Sequence, residues 1–222
     1  MEGPSPGSKR DRTRSALLVA AQELLLERSA GSLSIRDVTA RAGVVHGTFY
    51  NYFASIEALL DGVGLLFFAE HARIVDALIE GIDDPAEVFA LTTRQTLRFV
   101  TASPDYGRLA FDAGLPVDRF LLGLRVRLRR DVVRGVERGS FELDEVELAV
   151  GMITGSLLGV ALDIHRGVLP AAAIEQATAR LLRTLGVPND RARSIAERAH
   201  EFAEPPALPL RGLVSPPIAR KR

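Results

Sequence analysis

The fold is decided by residues 34–53, SIRDVTARAGVVHGTFYNYF, which contain two short helical segments separated by a glycine. Ser34 and Asp37 have the spacing of a capping box, which satisfies the free backbone N–H groups at the start of a helix. Gly43 lies where that helix should end, and a glycine there can adopt the positive φ of a sharp turn. The stretch therefore predicts two helices joined by a tight turn.

The second helix of this pair, predicted over residues 46–52, is too short to be stable alone. We expect Phe49 and Phe53 to hold it by packing on the first helix and on upstream residues such as Leu17. Its other face carries small and hydroxyl-bearing side chains, which allow close approach to a nucleic-acid groove and donation to phosphates. The residues of this face are His46, Gly47, Thr48, Tyr50, Asn51 and Tyr52.

Around this stretch, helical periodicity and prolines at helix starts predict helices throughout the 222 residues, and no strand pattern is present. Asp144 and Glu147 also have capping-box spacing. The fold class is therefore all-α, with a three-helix N-terminal domain followed by a larger helical domain. The predicted helices cover residues 12–28, 35–42, 46–52, 56–80, 86–102, 105–113, 117–138, 145–166, 171–185 and 190–203.

The chain divides into two predicted domains and two tails. The helix-turn-helix domain takes residues 9–55, and the larger helical domain takes residues 56–203. Residues 1–8 are polar, and residues 204–222 contain five prolines, so both segments are predicted to be disordered.

The distribution of charge favours a local rather than a global polyanion contact. The chain carries 28 Lys and Arg against 28 Asp and Glu, which gives a net charge of zero. Four cations nevertheless fall within residues 9–14, among them Arg12 and Arg14. A basic arm of this kind can neutralise phosphates while the rest of the protein remains neutral.

Composition and motifs argue against several other classes of protein. The chain has no cysteine and only four scattered histidines, so we expect no disulfide, no metal site and no cofactor. Nucleophile-elbow, phosphate-loop and H-E-x-x-H motifs are absent, which argues against an enzyme. The sequence has no uncharged apolar run of about 18 residues and no signal peptide. We therefore expect a cytoplasmic protein without a membrane partner.

Residues 13–60 contain four motifs at fixed spacings, namely SIRDV at 34–38, AGV at 42–44, GTFY at 47–50 followed by Phe53, and EALL at 57–60. With these motifs, the segment resembles the DNA-binding domain of the TetR family of transcriptional regulators. The later helices agree with that family only in number, length and composition.

The resemblance implies roles for the residues of the second helix and its neighbours. Thr48, Tyr50 and Tyr52 would contact phosphates, Arg36 and His46 would approach base edges, and Gly47 would permit close approach. Three positions depart from the family pattern, namely Val45 in place of a capping Ser or Thr, Ile56 in place of a Lys, and Thr39 in place of an Ala. The absent cap and the absent lysine indicate that DNA affinity depends more on the basic arm.

Aromatic side chains concentrate between residues 67 and 120 and are missing from residues 142–201. Rings with a few polar groups among them suit an apolar pocket with orienting hydrogen bonds, and the family resemblance places an effector in the same helices. The alternative is that the rings only fill a core. The predicted pocket residues are Phe67, His71, Arg94, Phe99, Tyr106, Phe111 and Phe120.

A glycine stripe in the helix predicted at 145–166 suggests close helix packing. Glycine costs about 1 kcal/mol relative to alanine inside a helix, so a neighbouring helix must compensate for it. The family resemblance implies a homodimer formed by the last two long helices, whereas packing within one chain is the alternative. The predicted interface residues are Gly151, Gly155, Gly159, Ile174, Ala177 and Leu181.

These observations predict a TetR-type repressor that binds a palindromic operator in double-stranded DNA as a homodimer and is released by an unknown small-molecule effector. An activator and a ligand-independent DNA-binding factor of the same fold are the alternatives. Gly62 and Gly64 stand in the long helix predicted at 56–80. They either soften the connection between domains or allow close packing, and the sequence does not separate these two roles.

Overall fold

The computed structural model describes residues 9–115 and 117–211, with residues 117–121 described by their backbone alone. The tail predicted at residues 1–8 and the part of the predicted C-terminal tail after residue 211 lie outside this range. The described residues form helices and turns without a strand, so the prediction of an all-α fold is confirmed.

The N-terminal domain is built from α1 (Lys9–Glu27), α2 (Ile35–Ala42) and a 3₁₀ helix (His46–Asn51). The capping box is present: the Asp37 N–H donates to Ser34 Oγ at 3.2 Å, and the Ser34 N–H donates to Asp37 Oδ2 at 3.1 Å. Gly43 ends α2 with a φ of 67°. Local signals in the sequence therefore determine both ends of α2.

The second helix of the pair is 3₁₀ rather than α-helical. The Thr48 N–H bonds to the Val45 carbonyl at 2.8 Å, and no side chain caps the helix at Val45. Phe49 is completely buried and Phe53 nearly so, which confirms that aromatic packing holds the helix. The segment has six residues and is held by the buried ring of Phe49. It can adopt the 3₁₀ conformation because short 3₁₀ helices are common in proteins.

The larger domain begins with α3, which is shared between the two parts of the chain. Gly62 is buried in α3, and a Cβ there would lie 3.2 Å from both Leu18 and Phe53 of the N-terminal domain. Gly62 therefore permits close packing. The helices of this domain are α3 (Ile56–Leu78), α4 (Pro85–Thr101), α5 (Pro104–Gly107), α6 (Val117–Glu137), α7 (Val146–His165), α8 (Ala173–Thr184) and α9 (Asn189–Glu197).

Helix α4 is the centre of the larger domain, since it packs against α3, α6, α7, α8 and α9. Between α5 and α6 the chain makes a π turn, Arg108–Asp112. Two predictions about helix ends are wrong. Helix α7 begins at Val146 without a side-chain cap, so Asp144 and Glu147 form no capping box, and α9 ends at Glu197 rather than near residue 203.

Residues 198–211, called here the C-terminal strap, run from the end of α9 back to the N-terminal domain. The Arg198, Ala203 and Pro206 carbonyls accept hydrogen bonds from Arg94, Gln95 and Tyr106 at 2.7–3.0 Å. The prediction of disorder is therefore wrong for residues 204–211. Proline-rich composition weakens regular structure, but here buried polar side chains of α4, α5 and α1 satisfy the strap's backbone.

Candidate DNA-binding surface and effector cavity

The predicted DNA-contacting residues of α2 and the 3₁₀ helix lie at the protein surface. Arg36, His46 and Tyr50 are exposed, and Thr48 and Tyr52 are half-buried. Tyr50 is 56% exposed although its ring packs edge-on against the buried ring of Phe49, so one contact with the core restrains an otherwise exposed side chain.

Gly47 stands out on this surface because the fold does not require a glycine there. A Cβ added at Gly47 would meet no atom within 4 Å, and its φ lies outside the left-handed region. The absence of a side chain therefore gives the domain itself no packing advantage. It does leave the start of the 3₁₀ helix open to close approach from outside.

The cations of the N-terminal domain divide into two groups. Arg28 pairs with Asp37 at 2.9 Å, and Arg41 pairs with Glu27 at 3.0 Å and Glu23 at 3.4 Å. These two arginines are thus engaged by three carboxylates on the domain's own surface. Hydrogen bonds from Ser34 also lower the pKa of Asp37, so that carboxyl stays ionised.

The remaining cations are concentrated in the basic arm at the start of α1. Arg12 and Arg14 are exposed, and the Arg14 guanidinium lies 5.3 Å from the centre of the Phe53 ring. This cation–π contact holds the arm beside the 3₁₀ helix. At least one cation of the arm therefore lies close to the segment that carries Thr48, Tyr50 and Tyr52.

The larger domain encloses an apolar cavity of about 60 Å³ between α3, α4, α6, α7 and the π turn. Gly64, the second glycine of α3, lines this cavity. Its role therefore differs from that of Gly62, because the missing side chain leaves space in the cavity. Thr96 and Thr154 supply the polar side chains of the wall. The other lining residues are Phe67, Leu97, Val100, Leu109, Ala110, Phe111, Leu115, Leu124, Leu157, Leu158 and Ala161.

Two of the predicted pocket residues, Phe67 and Phe111, line this cavity. Phe99 and Tyr106 lie behind the wall, where their rings pack within about 5 Å of Phe67. Burial raises the pKa of Tyr106, whose hydroxyl donates to the strap. The side chain of Phe120 lies outside the described residues.

Arg94 does not face the cavity, contrary to the prediction. Its guanidinium pairs with Glu175 of α8 at 3.5 Å, and it lies 4.5 Å from the ring centre of Phe202 in the strap. Helical periodicity identifies a buried face of α4, but α4 is surrounded on several sides. The sequence therefore could not show which neighbour Arg94 meets.

His71 borders a second, smaller recess that adjoins the cavity. This recess has a volume of about 20 Å³, and its lining includes Thr92, Arg127 and Asp131. The His71 Nε2 lies 2.9 Å from Thr96 Oγ1. Burial, reinforced by Arg127, lowers the pKa of His71 to about 4, so the imidazole is neutral at physiological pH. Among the described residues, no group of three His, Asp or Glu side chains is arranged to hold a metal ion.

The predicted interface helix α7 has one buried and one open face. Within the described ranges it is the one helix long and apolar enough, by length and composition alone, to cross a membrane, yet it packs on α4 and α6. Its open face includes Leu148, which is 63% exposed, and Met152, which is 56% exposed. A Cβ at Gly155 or Gly159 would meet nothing within 4 Å.

Within the part of the chain that the structure describes, Gly155 and Gly159 therefore have no close neighbour, and a Cβ at Gly151 would lie 3.9 Å from Arg125. The structure removes two residues from the predicted interface, because Ile174 and Leu181 of α8 are buried inside the chain. Ala177 is half-buried. The apolar stripe of α8 packs on α4, a pairing that periodicity alone does not reveal.

Sequence reasoning also missed the contribution of α7 to the cavity. Thr154, Leu157 and Ala161 line it from a buried face of α7 that lies to one side of the glycine stripe. Their spacing of three and four residues was a readable signal for a second buried face.

Comparison with known proteins agrees with this architecture in both domains. A family model described as "Bacterial regulatory proteins, tetR family" matches residues 17–63. A second, described as "Tetracyclin repressor-like, C-terminal domain", matches residues 84–198, which is more than half of the chain. The chain belongs to the TetR family. It is thus a TetR-type transcriptional regulator, and the resemblance seen in residues 13–60 is confirmed.

Curated relatives of this TetR-family protein match over shorter stretches. The transcriptional repressor DhaR of Mycobacterium sp. (strain GP1) is 33% identical over 76 residues, which are 34% of this chain and 38% of DhaR. The repressor KstR2 of Rhodococcus jostii (strain RHA1) is 33% identical over 84 residues, 36% of this chain and 40% of KstR2. The matched stretches thus span well under two thirds of either relative.

Solved structures extend the similarity to almost the whole described chain. RolR in complex with resorcinol is 32% identical, with a TM-score of 0.72 over 88% of this chain and 98% of RolR. RolR without ligand is 30% identical, with a TM-score of 0.69 over 85% of this chain and 100% of RolR. The TetR-family regulator therefore shares both domains with a protein whose structure holds a small aromatic molecule.

Proposed function

We propose that this protein is a ligand-responsive transcriptional repressor that binds a palindromic operator as a homodimer and leaves the DNA when a small molecule fills the cavity. The proposal joins two surfaces that lie in different domains. It therefore depends on a physical connection between the cavity and the N-terminal domain.

The observation that carries the proposal is the position of the π turn, Arg108–Asp112. Leu109, Ala110 and Phe111 form part of the cavity wall. At one end of the turn, Arg108 Nε donates to the Leu25 carbonyl of α1 at 3.1 Å. Just beyond the other end, the Ala113 carbonyl accepts from the Ala30 N–H at 2.7 Å. A molecule that displaces this wall must disturb contacts to the DNA-binding domain.

Helix α3 provides a second connection over a few residues. Gly62 packs on Leu18 and Phe53, while Gly64 and Phe67 line the cavity. A shift of α3 by a ligand is transmitted to the core that supports the 3₁₀ helix, because close-packed interiors do not absorb such shifts locally.

The DNA-binding roles follow from exposure, chemistry and the family pattern. In this proposal Thr48, Tyr50 and Tyr52 donate to phosphates, and Arg36 and His46 reach base edges. Gly47 allows the 3₁₀ helix to approach the groove. Arg12 and Arg14 of the basic arm add phosphate contacts.

Dimerisation in this proposal uses the open face of α7. An apolar stripe with two glycines permits a second helix to approach closely, and a two-fold dimer presents two identical 3₁₀ helices to one duplex. The two half-sites are then separated by about 34–36 Å or a small multiple of that distance. Because the dimer is two-fold symmetric, the operator must be palindromic. The repressor role, rather than activation, is supported by the names of DhaR and KstR2.

The test is to isolate the operator and then to look for its release. Genomic fragments retained by the purified protein are sequenced and footprinted, with the Gly155→Leu variant as a dimer-deficient comparison. Protection of two symmetric half-sites is expected. Small molecules are then screened for loss of protection. A single asymmetric half-site, or protection that no cavity-binding molecule removes, would contradict the dimer or the effector part respectively.

A further inference from the structure

The recess beside the cavity is built differently from the cavity itself. Thr96, Leu124 and Leu157 line both spaces, so the recess lies next to the cavity and shares part of its wall. Its volume of about 20 Å³ is enough for one water-sized group and for nothing larger. The cavity supplies apolar contacts, whereas the recess adds Thr92, Arg127 and Asp131.

The hydroxyl of Thr92 is the unusual group of this recess. Within the described residues, its Oγ1 is buried and has no hydrogen-bond partner. A buried hydroxyl left unpaired is unfavourable, so a ligand group that hydrogen-bonds to it gains affinity. The neighbouring Thr96 hydroxyl is already engaged, since it donates to the Thr92 carbonyl at 2.7 Å and lies 2.9 Å from His71 Nε2.

The charges around the recess are balanced. Arg127 is paired with Asp76, and Asp131 is paired with Arg130 at 3.0 Å. His71 carries no charge at physiological pH. An entering carboxylate would therefore meet no uncompensated cation and would face the Asp131 carboxylate, which makes its desolvation costly. A neutral group that both donates and accepts meets no such penalty.

We propose that the recess binds one hydroxyl group of the effector through Thr92, while an aromatic ring of the same molecule fills the apolar cavity against Phe67 and Phe111. The effector class is then a small neutral phenol, not an aromatic acid. This inference rests on the proposed role of the cavity as the effector site. It adds Thr92 as the residue that hydrogen-bonds to the polar group of the ligand.

The experiment uses three probes of similar size, namely phenol, toluene and benzoate, with the full chain. Calorimetry on the wild-type protein should give phenol an affinity about tenfold above toluene, and no binding of benzoate in the same range. Thr92→Val keeps the shape of the side chain and removes the hydroxyl. It should erase the preference for phenol by lowering phenol affinity about tenfold, and it should leave toluene binding unchanged.

Two further variants control for indirect effects. Thr92→Ser retains a hydroxyl and should retain the preference, even if its packing lowers the melting temperature. Thr101→Val is the second control. Thr101 is on the same helix, but its hydroxyl donates to the Leu97 carbonyl at 2.7 Å, and the residue is not part of the recess lining. This variant should bind all three probes as the wild type does.

Equal affinities for phenol and toluene, a uniform loss in Thr92→Val, or tighter binding of benzoate would each overturn the assignment of the recess. Binding of none of the probes would overturn it together with the proposed effector role of the cavity. Footprinting of operator DNA without any probe tests the DNA-binding part separately. Failure of the recess and failure of the proposed function therefore give different results.

Discussion

Gln22 of α1 and Leu210 of the C-terminal strap are joined by two hydrogen bonds across 188 positions of sequence. The Gln22 Nε2 donates to the Leu210 carbonyl at 2.9 Å, and the Leu210 N–H donates to Gln22 Oε1 at 2.7 Å. Both residues are buried. The amide thus pairs with the strap backbone as a neighbouring strand would, and it fastens the end of the described chain to the DNA-binding domain.

Replacing Gln22 with leucine should lower the free energy of unfolding by about 3 kcal/mol, because the buried N–H and carbonyl of Leu210 would both lose their partner. Chemical denaturation of the full chain measures this effect. Gln176→Leu is the matched control, since Gln176 is exposed on α8. A similar loss in both variants, or no loss in Gln22→Leu, would show that the pair does not stabilise the fold.

Gly47→Ala should weaken operator binding about tenfold without destabilising the protein. The new Cβ meets nothing inside the chain, so the free energy of unfolding should stay the same or rise by up to about 1 kcal/mol. The methyl group would instead occupy the space that the groove needs. Gly31→Ala provides a control, because Gly31 is also exposed with no atom within 4 Å of a Cβ. Equal operator affinity in both variants would remove Gly47 from the DNA contact.

Tyr50→Phe and His46→Ala should affect DNA binding in different ways. Loss of the Tyr50 hydroxyl removes a phosphate contact, so affinity should fall about fivefold for all sequences alike. Loss of the His46 ring should change which bases are preferred in each half-site. Selection from a randomised operator library distinguishes the two results. The same change of preference in both variants would contradict these roles.

His71 should make the protein less stable as the pH falls from 6.5 to 4. In the unfolded chain the imidazole binds a proton below about pH 6.5, whereas burial lowers the pKa of the folded His71 to about 4. Protons therefore favour the unfolded state in this window, by about 3 kcal/mol in total. Above pH 6.5 the residue is neutral in both states and contributes nothing to the dependence.

Chemical denaturation across this range compares the wild type with His71→Gln. The difference in unfolding free energy between the two proteins should change by about 1.4 kcal/mol per pH unit between pH 6 and 4.5. His200→Gln is the control, because His200 is exposed and should leave the pH dependence of the wild type intact. Parallel curves for wild type and His71→Gln would contradict a neutral buried imidazole.

Local signals in the sequence predicted the ends of α2 correctly, although the same capping-box spacing at Asp144 and Glu147 did not predict the start of α7. The Ser34 and Asp37 capping box and the αL glycine Gly43 set both ends of α2, since these interactions involve residues a few positions apart. Contacts between distant residues left no comparable signal. The sequence of the strap predicted a disordered, proline-rich tail. That prediction failed because the strap is held by Gln22 and Tyr106, which lie more than 90 positions away in the sequence.

The candidate sites show the same division. The residues predicted to contact DNA were identified from helical periodicity together with the family pattern, and they are exposed or half-buried at the surface. To predict the cavity, one must know which neighbouring helix each buried side chain contacts, and α4 alone has several neighbours. Periodicity marks a buried face but does not name the partner, so Phe67 and Phe111 reach the cavity while Arg94 turns toward α8 and the strap.

Gly155→Leu should separate the dimer while leaving the fold of each chain unchanged. Within one chain a Cβ at Gly155 lies in open space, and Leu148 and Met152 beside it are largely exposed, so a leucine there has room in the monomer. In a close helix crossing between two subunits the same side chain has no room. Light scattering should therefore report a monomer, and circular dichroism should report the helix content of the wild type.

The variant should also lose most of its operator affinity, because a single half-site engages too few phosphates to hold at physiological salt. Gly155→Ala grades the effect: its smaller side chain should weaken the dimer without abolishing it. Gly155→Leu that loses helix content would indicate packing within the chain, contrary to the open space around this glycine. Gly155→Leu that remains a dimer with normal operator affinity would place the subunit interface on a surface other than the glycine face of α7.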